Sequence, residues 1–189
     1  PAAATVGRAR RGGGGRHPSH GGVEHVRWRS RPALDRPVLV AAFDGWNDAG
    51  DAASGAVRYL IDRHDAELVA EIDPEEFFDF TSTRPQVELD DEGHRRISWP
   101  STEVHVAHLP GDASDVVLVV GTEPQLRWRT FSSQVLEIAQ QLGCRLVVLL
   151  GALVAEVPHS RPVPVVGSVT DPALETHLGL EASAYEGPT

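Results

Sequence analysis

The first loop, residues 44–51, is rich in carboxylates and is the first segment of the sequence that could carry chemistry. A glycine-containing turn that opens a helix commonly binds phosphate through its backbone N–H groups. Here the carboxylates would repel a bare phosphate, so phosphate binding would need a bridging divalent cation. Three interpretations stay open: helix capping by two of the acids with a packed tryptophan, contact with a ligand or partner, and a metal site. The candidate binding residues of this loop are Asp44, Trp46, Asn47, Asp48 and Asp51.

A second loop, residues 121–129, carries side chains of both charges. Arg127 and Arg129 could pair with Glu123 or with the acids of the first loop. Such ion pairs would hold one loop against the other. Glu123 and Arg127 are therefore further candidates for a binding crevice.

A third loop, residues 151–161, contains Glu156, His159 and Arg161. Glu-x-x-His spacing can place a carboxylate beside an imidazole for acid–base chemistry. The many prolines of this stretch exclude a helix, so the spacing by itself says little about geometry. We take all three residues as crevice candidates, and an enzymatic role stays open but is disfavoured.

Several chemistries are excluded by residues that the sequence lacks. The chain has no Lys, which excludes Schiff-base chemistry and a P-loop lysine. Its single cysteine excludes an intrachain disulfide and any multi-cysteine zinc site. Cys144 lies between a predicted helix and a predicted buried strand, which indicates an inert thiol. We predict no catalytic residue, no metal site and no cofactor.

The elements that must position these loops follow from the hydrophobic pattern. Apolar runs over 38–43, 115–120 and 146–150 predict strands buried on both faces, and each is followed by one of the loops. Apolar residues at helical spacing predict helices over 51–64 and 131–142. We expect Asp48 and Asp51 to cap the first of these helices. The pattern predicts an α/β fold with a mixed, largely parallel sheet flanked by helices, whose strand ends form a crevice.

An antiparallel insertion is predicted between the first helix and the second buried strand. Residues 86–89 and 94–98 flank an acidic, glycine-containing turn, which is typical of a β-hairpin. Further strands are predicted over 67–73, 103–109 and 163–169, and a short helix over 171–178.

Charge divides the chain into two parts. Residues 1–36 hold eight Arg and two acids, a net charge of +6, whereas residues 37–189 hold nine Arg and 25 acids, a net charge of −16; these sum to −10. The first part is poor in apolar residues, so we predict a disordered Arg/Gly-rich tail, with a nucleic-acid arm or a targeting peptide as alternatives. The second part is acidic, which disfavours nucleic acid and favours a partner with a basic surface. No apolar run is long enough to suggest a membrane partner.

The chain from residue 37 onward resembles the proteasome assembly chaperone 2 family in its bacterial, actinobacterial-looking form. The stretches that carry the resemblance are spread over the whole of 37–189. They are Phe43-Asp44-Gly45-Trp46-Asn47-Asp48-Ala49-Gly50-Asp51-Ala52-Ala53, Glu71-Ile72-Asp73-Pro74-Glu75-Glu76-Phe77, Thr83-Arg84-Pro85, Gly121-Thr122-Glu123-Pro124 through Arg127-Trp128, Leu150-Gly151-Ala152-Leu153, and Val157-Pro158-His159-Ser160-Arg161-Pro162-Val163-Pro164.

The resemblance implies a phosphorylase/hydrolase-like fold, similar to that of purine nucleoside phosphorylases. It also implies a non-enzymatic protein that acts by protein–protein binding, with proteasome subunits as partners. We further predict a cytoplasmic protein and, because three apolar strands have little helix to cover them, a homo-oligomer. Some relatives carry labels as ATP-grasp carboligases, a chemistry that a chain without Lys disfavours. The alternative is a small-molecule enzyme of the nucleoside phosphorylase or hydrolase type that uses the same crevice.

The C-terminus departs from the family pattern in two ways. Some archaeal relatives end in a hydrophobic–Tyr–any tail, whereas Tyr185 is not the penultimate residue here. Relatives also continue beyond the last residues, 187–189, with further helix and sheet. We therefore expect that the domain formed by residues 37–189 lacks its C-terminal part in this sequence.

Overall fold

The computed structural model describes the backbone of residues 2–8 and all of residues 25–111, 114–171, 174 and 178–179. Within these ranges the chain forms ten strands, two α-helices and a 3₁₀ turn at Ala49–Asp51. The strands are β1 (Ala2–Arg8), β2 (Val26–Trp28), β3 (Val38–Asp44), β4 (Glu67–Ile72), β5 (Gln86–Leu89), β6 (Arg95–Ser98), β7 (Thr102–Ala107), β8 (Val116–Thr122), β9 (Leu146–Ala152) and β10 (Val165–Val169). The helices are α1 (Ala52–Arg63) and α2 (Trp128–Gln141).

Eight of the strands form one mixed sheet, in the order β10-β1-β9-β3-β8-β7-β4-β2. The prediction of a mixed α/β fold is confirmed, and β9, β3 and β8 run parallel at the centre of the sheet. The prediction that the sheet is largely parallel is wrong, because four of its seven described strand pairings are antiparallel, including those of β7 with β4 and β8. The connection from β7 to β8, residues 108–115, is too short for the crossover that a parallel pair requires.

Helices cover both faces of the central strands. Successive residues of β3 point to opposite faces, so Leu39 and Ala42 enter different cores. Leu39 belongs to the larger core, together with Ile138 of α2. Ala42 belongs to the smaller core, together with Val57 of α1. The two predicted helices are confirmed, with α2 beginning three residues earlier than the apolar pattern predicts.

Strand β9 is less buried than its sequence predicts. Leu149 is exposed, and residues 146–148 and Leu150 are only partly buried. The buried strand residues of the two cores come from β3, β8 and the strands beyond β8, and none comes from residues 146–150, so β9 lies at the margin of the buried area. An apolar run therefore identified the strand but overstated its burial.

The prediction of a disordered tail over 1–36 is wrong for the described part of that segment. The backbone of β1 pairs with both β9 and β10. Strand β2 pairs with β4, and its Val26 is buried in the larger core. These segments gain backbone hydrogen bonds from a sheet that the rest of the chain forms, a contribution that their own apolar content does not reveal.

The predicted insertion is confirmed as a separate two-stranded hairpin of β5 and β6. The short helix predicted over 171–178 lies mostly outside the described residues. Among the residues that the structure describes, no helix is both long enough and apolar enough to cross a membrane.

Candidate functional site

The three candidate loops begin at one edge of the sheet, because β3, β8 and β9 are parallel and end together. Two backbone hydrogen bonds join them. The N–H of Glu123 donates to the carbonyl of Asp44 at 2.8 Å, and the N–H of Ala152 donates to the carbonyl of Asn47 at 2.8 Å. The first loop therefore lies between the beginnings of the other two. We call this region the strand-end edge.

Asp48 is a structural member of the strand-end edge. Its side chain is buried, and its Oδ1 accepts the backbone N–H of Ala53 at 2.7 Å and that of Ser54 at 3.3 Å. The prediction that Asp48 caps α1 is confirmed. The same prediction for Asp51 is wrong, since Asp51 precedes α1 directly but makes no side-chain capping bond.

Carboxylates of the first loop crowd together at this edge. Oxygens of Asp44, Asp48 and Asp51 all lie within 4.8 Å of one another. The carboxylate of Asp48 already binds two backbone N–H groups, so it helps to fix α1. Asp44 is half-buried and Asp51 is exposed, and together they make the edge acidic. We assign no metal ion to this cluster.

Glu123 holds the turn of the first loop. Its Oε2 accepts the backbone N–H of Trp46 at 3.0 Å. The same oxygen lies 2.6 Å from the position that a Cβ on residue 45 would occupy, and Gly45 has a φ of 151°. Only glycine combines that φ with such a close approach. The Asp-Gly-Trp sequence is therefore matched to Glu123 in the neighbouring loop.

Two tryptophans flank a shallow depression of about 460 Å³ at the strand-end edge. Trp46 is 66% exposed and Trp128, the first residue of α2, is 48% exposed. The interpretation in which Trp46 packs is therefore wrong. Asp44 and Glu123 also line the depression. Trp128 was missed by the sequence reasoning, although it lies in a stretch that carries the family resemblance.

The second loop is held by partners that the sequence did not predict. Arg127 pairs with Glu76, and not with Glu123 or the acids of the first loop. The side-chain Oε1 of Gln125 accepts the backbone N–H of Asp79 at 2.9 Å, and its Nε2 donates to Thr83. The segment around residues 76–83 therefore docks against this loop and forms one side of the depression.

The third loop contributes no paired chemistry in the described part of the chain. Glu156, His159 and Arg161 are all exposed. Neither a hydrogen bond nor an ion pair joins the side chains of Glu156 and His159. The acid–imidazole pair that their spacing suggested is therefore absent from this arrangement.

Two titratable sites away from the strand-end edge, the thiol of Cys144 and the Glu103–His105 contact, have pKa shifts with structural causes. Cys144 is buried, and burial raises the pKa of its thiol to about 12, in agreement with the predicted inert thiol. Nε2 of His105 lies 2.9 Å from Oε2 of Glu103, and this contact lowers the pKa of the Glu103 carboxyl. Cys144 is part of the larger core, and Glu103 and His105 lie on β7, so both observations fit structural roles.

A sequence profile of the PAC2 family matches residues 42–189. The chain belongs to the PAC2 family. All three strand-end loops lie inside the matched region, so the candidate residues are part of the family domain. Among curated proteins, no match to the chain is found.

Solved structures place this PAC2 chain among bacterial relatives. It is 51% identical to a PAC2 family protein from Streptomyces avermitilis, with a TM-score of 0.77, covering 81% of this chain and 65% of that one. It is 43% identical to a proteasome-assembly chaperone homologue from Mycobacterium tuberculosis, with a TM-score of 0.70, covering 80% of this chain and 64% of that one. A Mycobacterium tuberculosis protein of unknown function is 30% identical, with a TM-score of 0.63, covering 78% of this chain and 53% of that one. The chain thus spans less than two thirds of the length of each.

Proposed function

We propose that this PAC2 chain is a non-enzymatic, assembly-chaperone-like protein that acts by binding other proteins, with proteasome subunits as its partners. Family membership supports a chaperone-like role, and one structural relative is described as a proteasome-assembly chaperone homologue. The observation that carries the proposal is the strand-end edge, where exposed tryptophans stand beside carboxylates. Large exposed aromatic side chains are typical of protein interfaces.

The charge of the chain suggests what the partner surface is like. Residues 37–189 carry a net charge of −16, and Asp44 and Glu123 line the depression at the edge. A basic surface on the partner would complement both. The same acidic charge leads us to propose no nucleic-acid partner. We also propose that the protein uses no cofactor, lies in the cytoplasm alongside the proteasome and forms a homo-oligomer.

The alternative is a small-molecule enzyme of the nucleoside phosphorylase or hydrolase type. The parallel centre of the sheet, with helices on both faces, is compatible with a phosphorylase-like fold. This alternative has less support, since the exposed Glu156 and His159 do not contact each other. The crevice candidates Asn47, Arg127 and Arg161 are proposed as parts or neighbours of a binding surface.

Co-elution of the purified chain with bacterial proteasome α- and β-subunits tests the proposed function. We expect a complex that weakens as salt rises from about 50 to 300 mM, because screening shortens the reach of charge. The double variant Asp44→Asn/Glu123→Gln should weaken it. The double variant Glu88→Gln/Glu92→Gln removes the same charge from the exposed hairpin and should not. Absence of a complex at every salt concentration, or cleavage of nucleosides by the chain, would contradict the proposal.

A further inference from the structure

The depression between Trp46 and Trp128 combines two features that together select a ligand class. Its walls include two partly exposed indole rings, from different elements of the fold. It is also lined by Asp44 and Glu123, and no basic side chain is among the described residues that line it. Indole faces and carboxylates both attract cations.

The balance of charge around the depression is negative. Asp44 and Glu123 line it, and carboxylate oxygens of Asp48 and Asp51 lie within 4.8 Å of one on Asp44. The N-terminal end of α2 opposes them with a partial charge of about +0.5. Arg127, next to Trp128 in sequence, is paired with Glu76, which neutralises its charge. The start of α1, whose N–H groups bind Asp48, adds a second partial charge of about +0.5. Four carboxylates still outweigh the two helix ends, and an anionic ligand is disfavoured.

Glu123 can contact a ligand while keeping its structural role. One of its oxygens accepts the N–H of Trp46, and a carboxylate has about four acceptor positions. Asp44 offers its backbone carbonyl to the second loop and has a half-buried side chain. Both acids can therefore accept hydrogen bonds from a group that enters between the rings.

The chain already contains the same kind of interaction at another site. The guanidinium carbon of Arg31 lies 4.7 Å from the centroid of the Trp28 ring. A guanidinium is planar, stacks on indole and donates two parallel hydrogen bonds to a carboxylate, whereas an ammonium cannot stack. A site with two indoles and two carboxylates suits it better.

We propose that the depression between Trp46 and Trp128 binds an arginine side chain of a partner protein. The inference rests on the proposed protein-binding function and names the group that is recognised. The indole faces stack on the guanidinium, and Asp44 and Glu123 accept its N–H donors. The site recognises a single cationic side chain, which differs from the diffuse attraction between an acidic chain and a basic surface.

The test uses a defined probe and the indole N–H signals of the full chain in NMR. The probe is acetyl-Gly-Arg-Gly-amide, and the matched control peptide carries citrulline, which has the same shape but no charge. We expect the arginine peptide to shift the signals of Trp46 and Trp128 and to leave those of Trp28 and Trp99 in place. Equal shifts with the citrulline peptide, or no shift at Trp46 and Trp128, would overturn the proposal.

Matched variants separate cation–π binding from loss of fold. Trp46→Leu and Trp128→Leu keep an apolar side chain but remove the ring, and each should weaken peptide binding about threefold or more. Trp99→Leu is the control, because Trp99 is 51% exposed and lies outside the depression. Asp44→Asn should weaken binding and Glu88→Gln should not. Equal weakening by Trp99→Leu and Trp46→Leu would refute the site.

The two proposals can fail separately. If proteasome subunits bind and the arginine peptide does not, the protein-binding function stands and the arginine site is wrong. If the peptide binds at the two tryptophans and no proteasome subunit binds, the arginine site stands and the partner is another protein.

Discussion

The carboxylate of Asp48 accepts the backbone N–H of Ala53, five residues further along the chain, at 2.7 Å. It also accepts the N–H of Ser54, so two free donors at the start of α1 are satisfied by a residue that lies outside the helix. Asp51, directly before the helix, has a φ of 53° and makes no such bond. The first loop is thus folded around Asp48, and this fixes where the other acids of the strand-end edge stand.

Replacing Asp48 tests this arrangement. Asp48→Ala leaves two buried N–H groups without an acceptor, so we expect the free energy of unfolding to fall by about 1–3 kcal/mol. Asp51→Asn removes an equal charge from an exposed residue and keeps a side chain that tolerates positive φ, so its effect should stay within about 0.5 kcal/mol. Urea unfolding of both variants measures the difference. Equal losses would show that Asp48 is not the cap.

Gly121 in β8 lies against β7 so closely that a side chain does not fit. A Cβ there would lie 2.6 Å from Oγ1 of Thr102 and 2.7 Å from the backbone oxygen of Ser101. We expect Gly121→Ala to lower the free energy of unfolding by about 1–3 kcal/mol, since the strands must move apart. Gly55→Ala in α1 meets no atom within 4 Å and should raise stability by about 0.5–1 kcal/mol. Thermal unfolding should therefore show a lower melting temperature for Gly121→Ala and a higher one for Gly55→Ala, although both replace glycine by alanine.

The N-terminal strand β2 contributes to the core. Val26 is 8% exposed, whereas Val87 in the hairpin is 64% exposed. We expect Val26→Ala to lower the free energy of unfolding by about 1–2 kcal/mol and Val87→Ala to change it by less than about 0.5 kcal/mol. Chemical denaturation provides the comparison. If Val26→Ala has no effect, residues 25–36 would behave as the dispensable tail that composition predicts.

The contact between Asp115 and the backbone of Asp35 predicts a dependence of stability on pH. The N–H of Asp35 donates to Oδ2 of Asp115 at 2.7 Å, and this bond holds the pKa of Asp115 below its ordinary value of 3.8. His108, 3.1 Å from the other oxygen, acts in the same direction. A carboxyl with a lowered folded-state pKa stabilises the fold above its unfolded-state pKa and loses that contribution as pH falls through the folded-state pKa.

Asp115→Asn tests the sign of this effect. The wild-type protein should be more stable than the variant at pH 7, and the gap should narrow as pH falls below about 3.8. Unfolding in urea at several pH values measures the gap. The same comparison can be made in proteins that also carry His108→Gln, which removes the imidazole. Most of the gap between Asp115 and Asn at this position should remain there, because the backbone hydrogen bond from Asp35 is the larger cause of the lowered pKa. A gap that stays constant between pH 7 and pH 2 would contradict the assignment.

Local pattern was enough to predict most of the elements. Apolar runs identified β3, β8 and β9, helical spacing identified α1 and α2, and the acidic glycine turn identified the hairpin. These signals depend on residues close together in sequence, whose periodicity reflects which side chains face a core. That the three loops meet at one edge also followed, since parallel neighbours end together.

The sequence by itself determined most of the elements, the acidic character of the edge, the capping role of Asp48 and the family. Tertiary structure alone decided which side chains meet: Arg127 with Glu76, Gln125 with Thr83, and the two tryptophans around one depression. It also decided that segments at the N-terminus join the sheet and that Glu156 and His159 stay apart. The physical reason is that such contacts depend on how distant segments pack and pair their backbones, which the spacing of residues along the chain does not encode.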